Sequence, residues 1–194
     1  MIKKSPLAPL CQRGEYLPLA KGGKEGFSYV CLHRFETLSY NNVMSIVHIS
    51  IGSNLGNRQE NCLKALDLLS ARGIIITKQS SLYETEPWGV ENQPKFINMA
   101  AEVATELGPL KLLETLKSVE EEMGRKESFR WGPRVIDLDV LFYDDLVMDS
   151  PDLKIPHPLL HERAFVLRPL AEIAPDKIHP ILKKTVRELL SEIK

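Results

Sequence analysis

Two aspartates inside an apolar β-strand constrain this 194-residue chain more than any other feature. The stretch 136–142 alternates as a strand does, with Asp137 and Asp139 on one face and Leu138 and Val140 on the other. Aspartate is depleted in strands. Two carboxylates about 6.5–7 Å apart also repel each other by about 2.4 kcal/mol at an effective dielectric constant near 20. The pair therefore needs a compensating partner.

A divalent cation would remove this repulsion. Oxygen ligands suit Mg²⁺, which takes one or two carboxylates and completes its shell with water and substrate phosphates. Arg130 and Arg134 lie just upstream on a Gly-Pro turn, and guanidinium groups match phosphate oxygens. Metal carboxylates beside arginines predict a phosphoryl-type transfer. The alternative is an edge strand whose solvated face carries two acids, with the arginines in ordinary surface ion pairs.

The composition is that of an ordinary globular protein, with 43% hydrophobic residues and a net charge of −1. This balance gives no indication of nucleic-acid binding, and no apolar run is long enough to span a membrane. The cysteines Cys11, Cys31 and Cys62 are odd in number and form no Cys-x-x-Cys motif, so we expect a cytoplasmic protein without disulfides. Cys62 is predicted to be a small buried residue of a helix.

Residues 1–43 differ from the rest of the chain. They contain three prolines and a Gly-Gly-Lys-Glu-Gly cluster, and they show no sustained helical or strand period. We predict that they form a disordered extension or lie upstream of a translation start at Met44. Residues 44–194 are then the single folded domain.

The folded part is predicted to run β-α-β twice and then to add C-terminal helices. Strands are expected at 45–51, 73–83, 96–106 and 136–142, and helices at 57–71, 109–123, 162–173 and 185–193. This order predicts an α+β fold with a ferredoxin-like antiparallel sheet, helices packed on one face, and extra C-terminal helices.

Several single residues allow two interpretations each. Asn98, inside an apolar strand, either binds a ligand edge or ties down a loop, because a buried amide must be satisfied. Trp88 could wall a planar ligand or cover a core edge, and His157 could bond a phosphate or form a turn. The acidic run 120–122 is typical of a solvated helix face.

The stretch from Arg130 to Leu141, RWGPRVIDLDVL, resembles the signature of the 6-hydroxymethyl-7,8-dihydropterin pyrophosphokinase family. Further stretches match that family in the right order, namely SIGSNLG at 50–56, YETEPWG at 83–89, QPKFIN at 93–98, IPHP at 155–158 and ERAF at 162–165. The resemblance spans residues 44–194 and excludes 1–43.

The resemblance implies a transfer of diphosphate from ATP to the hydroxymethyl group of the dihydropterin, with release of AMP, in folate biosynthesis. It implies two Mg²⁺ ions held by Asp137 and Asp139, with Arg125 and Arg134 completing the catalytic set. The implied pterin-binding residues are Thr85, Glu86, Pro87, Trp88, Phe96, Asn98, Trp131 and Phe165. The implied ATP-binding residues are Lys117, Glu120, Arg134, Val140, His157 and Arg163.

Two other functions use the same residues. A metal-dependent phosphohydrolase would need the carboxylates and arginines but no aromatic sandwich, and a ferredoxin-like binding module would need no catalysis. We expect a monomer that binds ATP and a dihydropterin.

Overall fold

The computed structural model describes residues 44–89, 92–126 and 132–193. The predicted extension 1–43, and the site residues Arg130 and Trp131 predicted from the sequence, lie outside these ranges. The strands are β1 (Ser45–Ser53), β2 (Ile75–Gln79), β3 (Tyr83–Thr85), β4 (Phe96–Thr105), β5 (Asp137–Tyr143), β6 (Met148–Asp149) and β7 (Lys154–Ile155). The helices are α1 (Arg58–Ala71), α2 (Pro109–Glu122), α3 (Ala164–Ile173) and α4 (Val186–Glu192), with a 3₁₀ turn at Leu160–Glu162.

The main sheet is antiparallel, with the order β2-β4-β1-β5 and with β3 also paired to β4. Both central strands are buried, and β1 pairs with β4 along its whole length. The predicted ferredoxin-like α+β fold is confirmed.

The strand predicted at 73–83 is divided in two. Its parts, β2 and β3, lie along the same edge of β4. Between them, the main-chain N–H and the hydroxyl of Ser81 donate to the carboxylate of Glu172 on α3, at 3.0 and 2.9 Å. Because these hydrogen bonds take the place of strand pairing, the ladder is interrupted there.

The sheet separates two apolar cores. Ile49 and Ile51 of β1 face α1 and α2 in the first core, where Leu138 and Val140 of β5 also pack. The second core joins Ala100, Leu141 and Phe142 to α3 and α4 on the opposite face. The C-terminal helices therefore cover part of the face that the first two helices leave open, and the rest of that face is free for a site.

Local signals in the sequence explain where the helices begin and end. Asn57 caps α1, accepting from the N–H of Glu60 at 3.4 Å and donating to its carboxylate at 2.7 Å. Gly73, with φ of 81°, follows the end of α1. Helix α3 begins at Ala164, later than predicted, because a 3₁₀ turn precedes it.

Cys62 is fully buried, and burial raises the pKa of its thiol to about 12, as expected for a packing residue. None of the helices in the described ranges combines the length and apolarity needed to cross a bilayer.

Candidate active site

A cleft lies on the sheet face opposite α1 and α2. The cleft brings together side chains from β1, β4, β5, α3 and the loops beside them. It is lined by Ser50, Gly52, Thr85, Glu86, Trp88, Phe96, Asn98, Arg134, Asp137, Asp139, Arg163, Phe165 and Val166.

Asp137 and Asp139 both line this cleft. They lie opposite Gly52 and Ser50 of β1 in the sheet register, so the two-residue period of β5 places both carboxylates on the same face. In the described part of the chain β5 pairs with β1 alone, so β5 is an edge strand, as the alternative interpretation of the sequence assumed. That interpretation is wrong about the acidic face of the strand, which lines a cleft.

Two arginines hold Asp137. Arg125 donates to its Oδ1 at 2.6 Å, and Arg134 contacts its Oδ2 at 3.0 Å. These side chains are about a fifth to a quarter exposed, so the ion pairs are less screened than pairs on an open surface.

Asp139 is electrostatically strained. Burial, and then the negative charge of Asp137, raise the pKa of its carboxyl group from 3.8 to about 6, against the opposing charges of Lys117 and Arg163. A positive charge placed beside this carboxylate would remove the strain.

Arg163 precedes the first residue of α3 and lies over two aromatic rings. Its guanidinium carbon is 4.7 Å from the centre of the Trp88 ring and 5.7 Å from that of Phe165. Burial lowers the pKa of Arg163. The Nε–H groups of Arg163 and Arg134 are buried without a hydrogen-bond partner among the described residues. Such donors suit the oxygens of an anionic ligand.

The main chain of Arg134 is fixed by Asn54, a residue that the sequence reasoning missed. Asn54 is 1% exposed, its Oδ1 accepts from the N–H of Arg134 at 2.7 Å, and its own N–H donates to the Arg134 carbonyl at 3.1 Å. Its side-chain amide donates to Gln93 and Pro94. A polar residue in the turn after an apolar strand was the available signal.

The lining of the cleft also includes aromatic side chains and a buried amide. Asn98 is buried, and its Nδ2 donates to Thr85 Oγ1 at 2.7 Å. Asn98 therefore does tie down a loop, while it also lines the cleft. Phe96 and Phe165 reach the cleft from β4 and α3, so they can contact one planar ligand. Trp88 also lines the cleft and is 39% exposed.

Some site residues predicted from the sequence lie outside the cleft lining. Pro87, Lys117, Arg125 and His157 are not among the lining residues. The side chain of Val140 is 3% exposed and packs in the first core, away from the cleft, because it follows the alternation of β5. Glu120 is 2% exposed, so the prediction of a solvated acidic face is wrong for this residue. Glu120 holds Arg125 and Lys117 behind the cleft.

His157 has the turn role that the sequence allowed, while its contact with a phosphate stays a prediction. Its Nδ1 accepts from the Leu159 N–H at 3.2 Å, and its N–H donates to the Leu141 carbonyl at 3.0 Å, as in a turn. Burial, and then the charge of Arg163, lower the pKa of His157 to about 4. The ring is therefore neutral at pH 7, with Nδ1 as an acceptor and Nε2 left as an N–H donor.

Comparison with known proteins shows the family to which this chain belongs. The family model described as 7,8-dihydro-6-hydroxymethylpterin-pyrophosphokinase matches residues 48–175. The chain belongs to this pyrophosphokinase family. The match covers all of the cleft-lining residues and every strand of the main sheet except the first three residues of β1.

Relatives with this activity in their names are similar over most of their length. The 2-amino-4-hydroxy-6-hydroxymethyldihydropteridine pyrophosphokinase of Aquifex aeolicus is 46% identical over 149 residues, which is 77% of this chain and 92% of that protein. The Bacillus subtilis protein of the same name is 45% identical over 130 residues, 66% of this chain and 78% of its own.

Other members of the pyrophosphokinase family are longer than this chain. The mitochondrial folate synthesis bifunctional protein of Arabidopsis thaliana is 50% identical over 127 residues, and the match covers 66% of this chain but 23% of that protein. The crystal structure of Plasmodium falciparum HPPK-DHPS with pteroate superposes with a TM-score of 0.64 at 19% identity, covering 77% of this chain and 42% of that one. This structural likeness supports the fold alone.

Proposed function

We propose that this chain transfers the diphosphate of ATP to the hydroxymethyl oxygen of 6-hydroxymethyl-7,8-dihydropterin and releases AMP. Family membership assigns it to the pyrophosphokinase step of folate biosynthesis. The observation that carries the proposal is that one cleft is lined by aromatic and amide side chains, which we assign to the pterin, and by carboxylates and arginines, which we assign to the triphosphate. A bound pterin and a bound triphosphate would meet there.

The pterin end suits a flat molecule rich in donors and acceptors. Phe96 and Phe165 would stack on the ring, and Asn98, held by Thr85, would read its hydrogen-bonding edge together with the backbone of 85–88. The fixed amide is already oriented before the ligand arrives, which lowers the entropy cost of binding.

The phosphate end supplies positive charge and free donors. Arg134 and Arg163 have buried Nε–H groups aimed at no described partner, and Arg125 lies beside Asp137. His157 would donate through Nε2, and Lys117 adds a further charge near Asp139. These groups would hold the phosphates in line for attack and stabilise the charge that develops on them.

The residues present fit the expected Mg²⁺ ions. Asp137 and Asp139 provide oxygen donors on one face, and the raised pKa of Asp139 reflects the repulsion that a cation would relieve. When bound, the ions would neutralise the triphosphate and lower the barrier for the alcohol. In the described ranges no third acidic or histidine side chain joins these two carboxylates. A cation held by them would therefore keep coordination positions for phosphate oxygens and water.

The bond changes are those of a single displacement. The hydroxymethyl oxygen forms a bond to the β-phosphorus, and the bond from that phosphorus to the oxygen bridging to the α-phosphorus breaks. AMP leaves with the bridging oxygen, and the alcohol loses its proton, with Asp137 or Asp139 as the nearby acceptor.

Product analysis tests the proposal. The chain is incubated with ATP and Mg²⁺, with and without 6-hydroxymethyl-7,8-dihydropterin, and the nucleotides are separated. AMP formed only when the pterin is present supports the transferase. Orthophosphate released without the pterin would favour a phosphohydrolase, and binding without turnover would favour a binding module.

We also propose that the protein acts as a cytoplasmic monomer. The free and fully buried Cys62 agrees with a reducing compartment. Sedimentation at working concentration and fractionation of the source cells test these two points.

A further inference from the structure

The buried carboxylate of Glu120 lies directly behind the two cleft aspartates. Its Oε1 accepts from the main-chain N–H of Leu138 at 2.7 Å, and Leu138 stands between Asp137 and Asp139. In the described sheet β5 pairs with β1 alone. The main-chain N–H of Leu138, between the two aspartates, therefore has a helix side chain as its hydrogen-bond acceptor instead of another strand.

The same carboxylate also holds two cations. Arg125 Nη1 donates to Glu120 Oε1 and to Asp137 Oδ1, at 2.6 Å in each case. Lys117 Nζ donates to Glu120 Oε2 at 3.0 Å. Both oxygens of Glu120 are therefore occupied by the protein, and the residue is 2% exposed.

A nucleotide that enters the cleft with its cations would compete for the contacts between Asp137 and its two arginines. Both oxygens of Asp137 are engaged by Arg125 and Arg134, and any cation bound by Asp137 would weaken those contacts. Glu120 is the partner of Arg125 that does not face the cleft, so it would keep the guanidinium in place during this exchange.

Resting on the proposed diphosphate transfer, we infer that Glu120 is a positioning residue and not a nucleotide ligand. It fixes the segment of β5 that carries both aspartates, and it retains Arg125 beside Asp137 when ligands arrive. This assignment replaces the nucleotide contact that the family resemblance implies for Glu120.

Glu120→Gln tests the inference, with Glu121→Gln as the matched control. The amide keeps the size of the side chain but loses the charge that holds Arg125, whereas Glu121 is exposed on the same helix. We expect kcat of Glu120→Gln to fall about 10- to 100-fold. The Kd for α,β-methylene-ATP with Mg²⁺ should change less than about 3-fold, and the control should match the wild type.

Two kinetic outcomes would overturn the assignment. A nucleotide Kd weakened about 10-fold with kcat preserved would make Glu120 a nucleotide ligand. Unchanged kcat and Kd, with only a lower melting temperature, would reduce Glu120 to a stabilising residue of the fold.

The wild-type protein provides a test that needs neither a variant nor turnover. Hydrogen exchange of the Leu138 amide is measured by NMR without ligand and with Mg²⁺ and α,β-methylene-ATP. We expect slow exchange, within about 3-fold, in both states, because Glu120 keeps this bond. Exchange accelerated about 10-fold or more by the nucleotide would overturn the inference. Absence of pterin-dependent AMP from the wild type would instead overturn the proposed function.

Discussion

Gly52 lies against the side chain of Asn98, its direct partner across β1 and β4. A Cβ atom on Gly52 would stand 2.9 Å from Asn98 Oδ1 and 3.9 Å from the Phe96 ring. Real Cβ atoms do not approach an oxygen so closely. The missing side chain of Gly52 therefore makes room for the amide that we assign to the pterin edge.

We expect Gly52→Ala to damage pterin binding selectively. The added methyl group would push Asn98 away from Thr85 and disturb Phe96, while Arg163 and His157 stay in place. The KM for the pterin should rise about 10-fold, equivalent to about 1.4 kcal/mol, and the Kd for Mg²⁺–α,β-methylene-ATP should change little. Steady-state kinetics and nucleotide titration measure the two values.

Gly108→Ala is the control for this change, because a Cβ at Gly108 meets no atom within 4 Å. It should leave both constants at their wild-type values. An unchanged pterin KM in Gly52→Ala would contradict the assignment of Asn98.

Neutralising either cleft aspartate should abolish most of the turnover. Asp137→Asn or Asp139→Asn removes one charge from the proposed metal ligands without changing the shape of the side chain. We expect kcat to fall by about a hundredfold or more, with the fold retained. Near-normal rates in both variants would refute the metal role, and circular dichroism checks the fold.

The same Asp139→Asn change should stabilise the ligand-free protein at high pH. The folded-state pKa of about 6 lies above the ordinary value of 3.8, so the native state binds more protons in this window. The free energy of unfolding of the wild type therefore falls as the pH rises from about 4 to about 6. The variant avoids this loss of stability, which amounts to about 3 kcal/mol at pH 8, and it gains nothing at pH 4, where Asp139 is protonated.

Melting temperatures of the two proteins across this pH range check the expectation. Asp67→Asn, which removes one carboxylate at an exposed position of α1, is the control and should not reproduce the stabilisation of Asp139→Asn. A gap between wild type and Asp139→Asn that does not widen with pH would show that Asp139 is not strained.

Arg134→Ala should slow the chemistry more than it weakens pterin binding. The guanidinium contacts Asp137 and lies 5.7 Å from the centre of the Phe96 ring, and we assign its charge to the phosphates. We expect kcat to fall about 100-fold and the pterin KM to rise less than about 5-fold. The reverse pattern would indicate a binding arginine, and Arg168→Ala, exposed on α3, serves as the control.

A chain that begins at Met44 should keep both its melting temperature and its AMP production. The described sheet, both apolar cores and every residue assigned to the site lie after Met44. Calorimetry and the product assay on the two lengths decide the matter. Loss of either property would show that residues 1–43 are integral to the folded protein.

Much of the fold was predictable because its signals are local. The alternation of β5 correctly assigned Leu138 and Val140 to the core and the two aspartates to the other face. Asn57 and Gly73 marked the ends of α1. The division between β2 and β3 was missed, because Ser81 between them is held by Glu172, which is 91 residues away in sequence.

The buried polar residues were harder to predict than the apolar ones. Glu120 belongs to an acidic run that is typical of a solvated face, and Asn54 belongs to a turn. Both are buried because they hold main-chain groups, Leu138 for Glu120 and Arg134 for Asn54. Such partners are distant in sequence, so the local pattern around Glu120 and Asn54 does not show which main-chain groups they hold.

The sequence by itself determined which face of each strand is apolar and which family the motifs resemble, because side-chain alternation and motif order are written along the chain. The tertiary structure decided that Asp137, Asn98 and Arg163 share one cleft. Their proximity depends on the register of β5 and β4 against β1 and on α3 crossing the same face. Register and packing arise from contacts between distant segments, so only the folded chain fixes them.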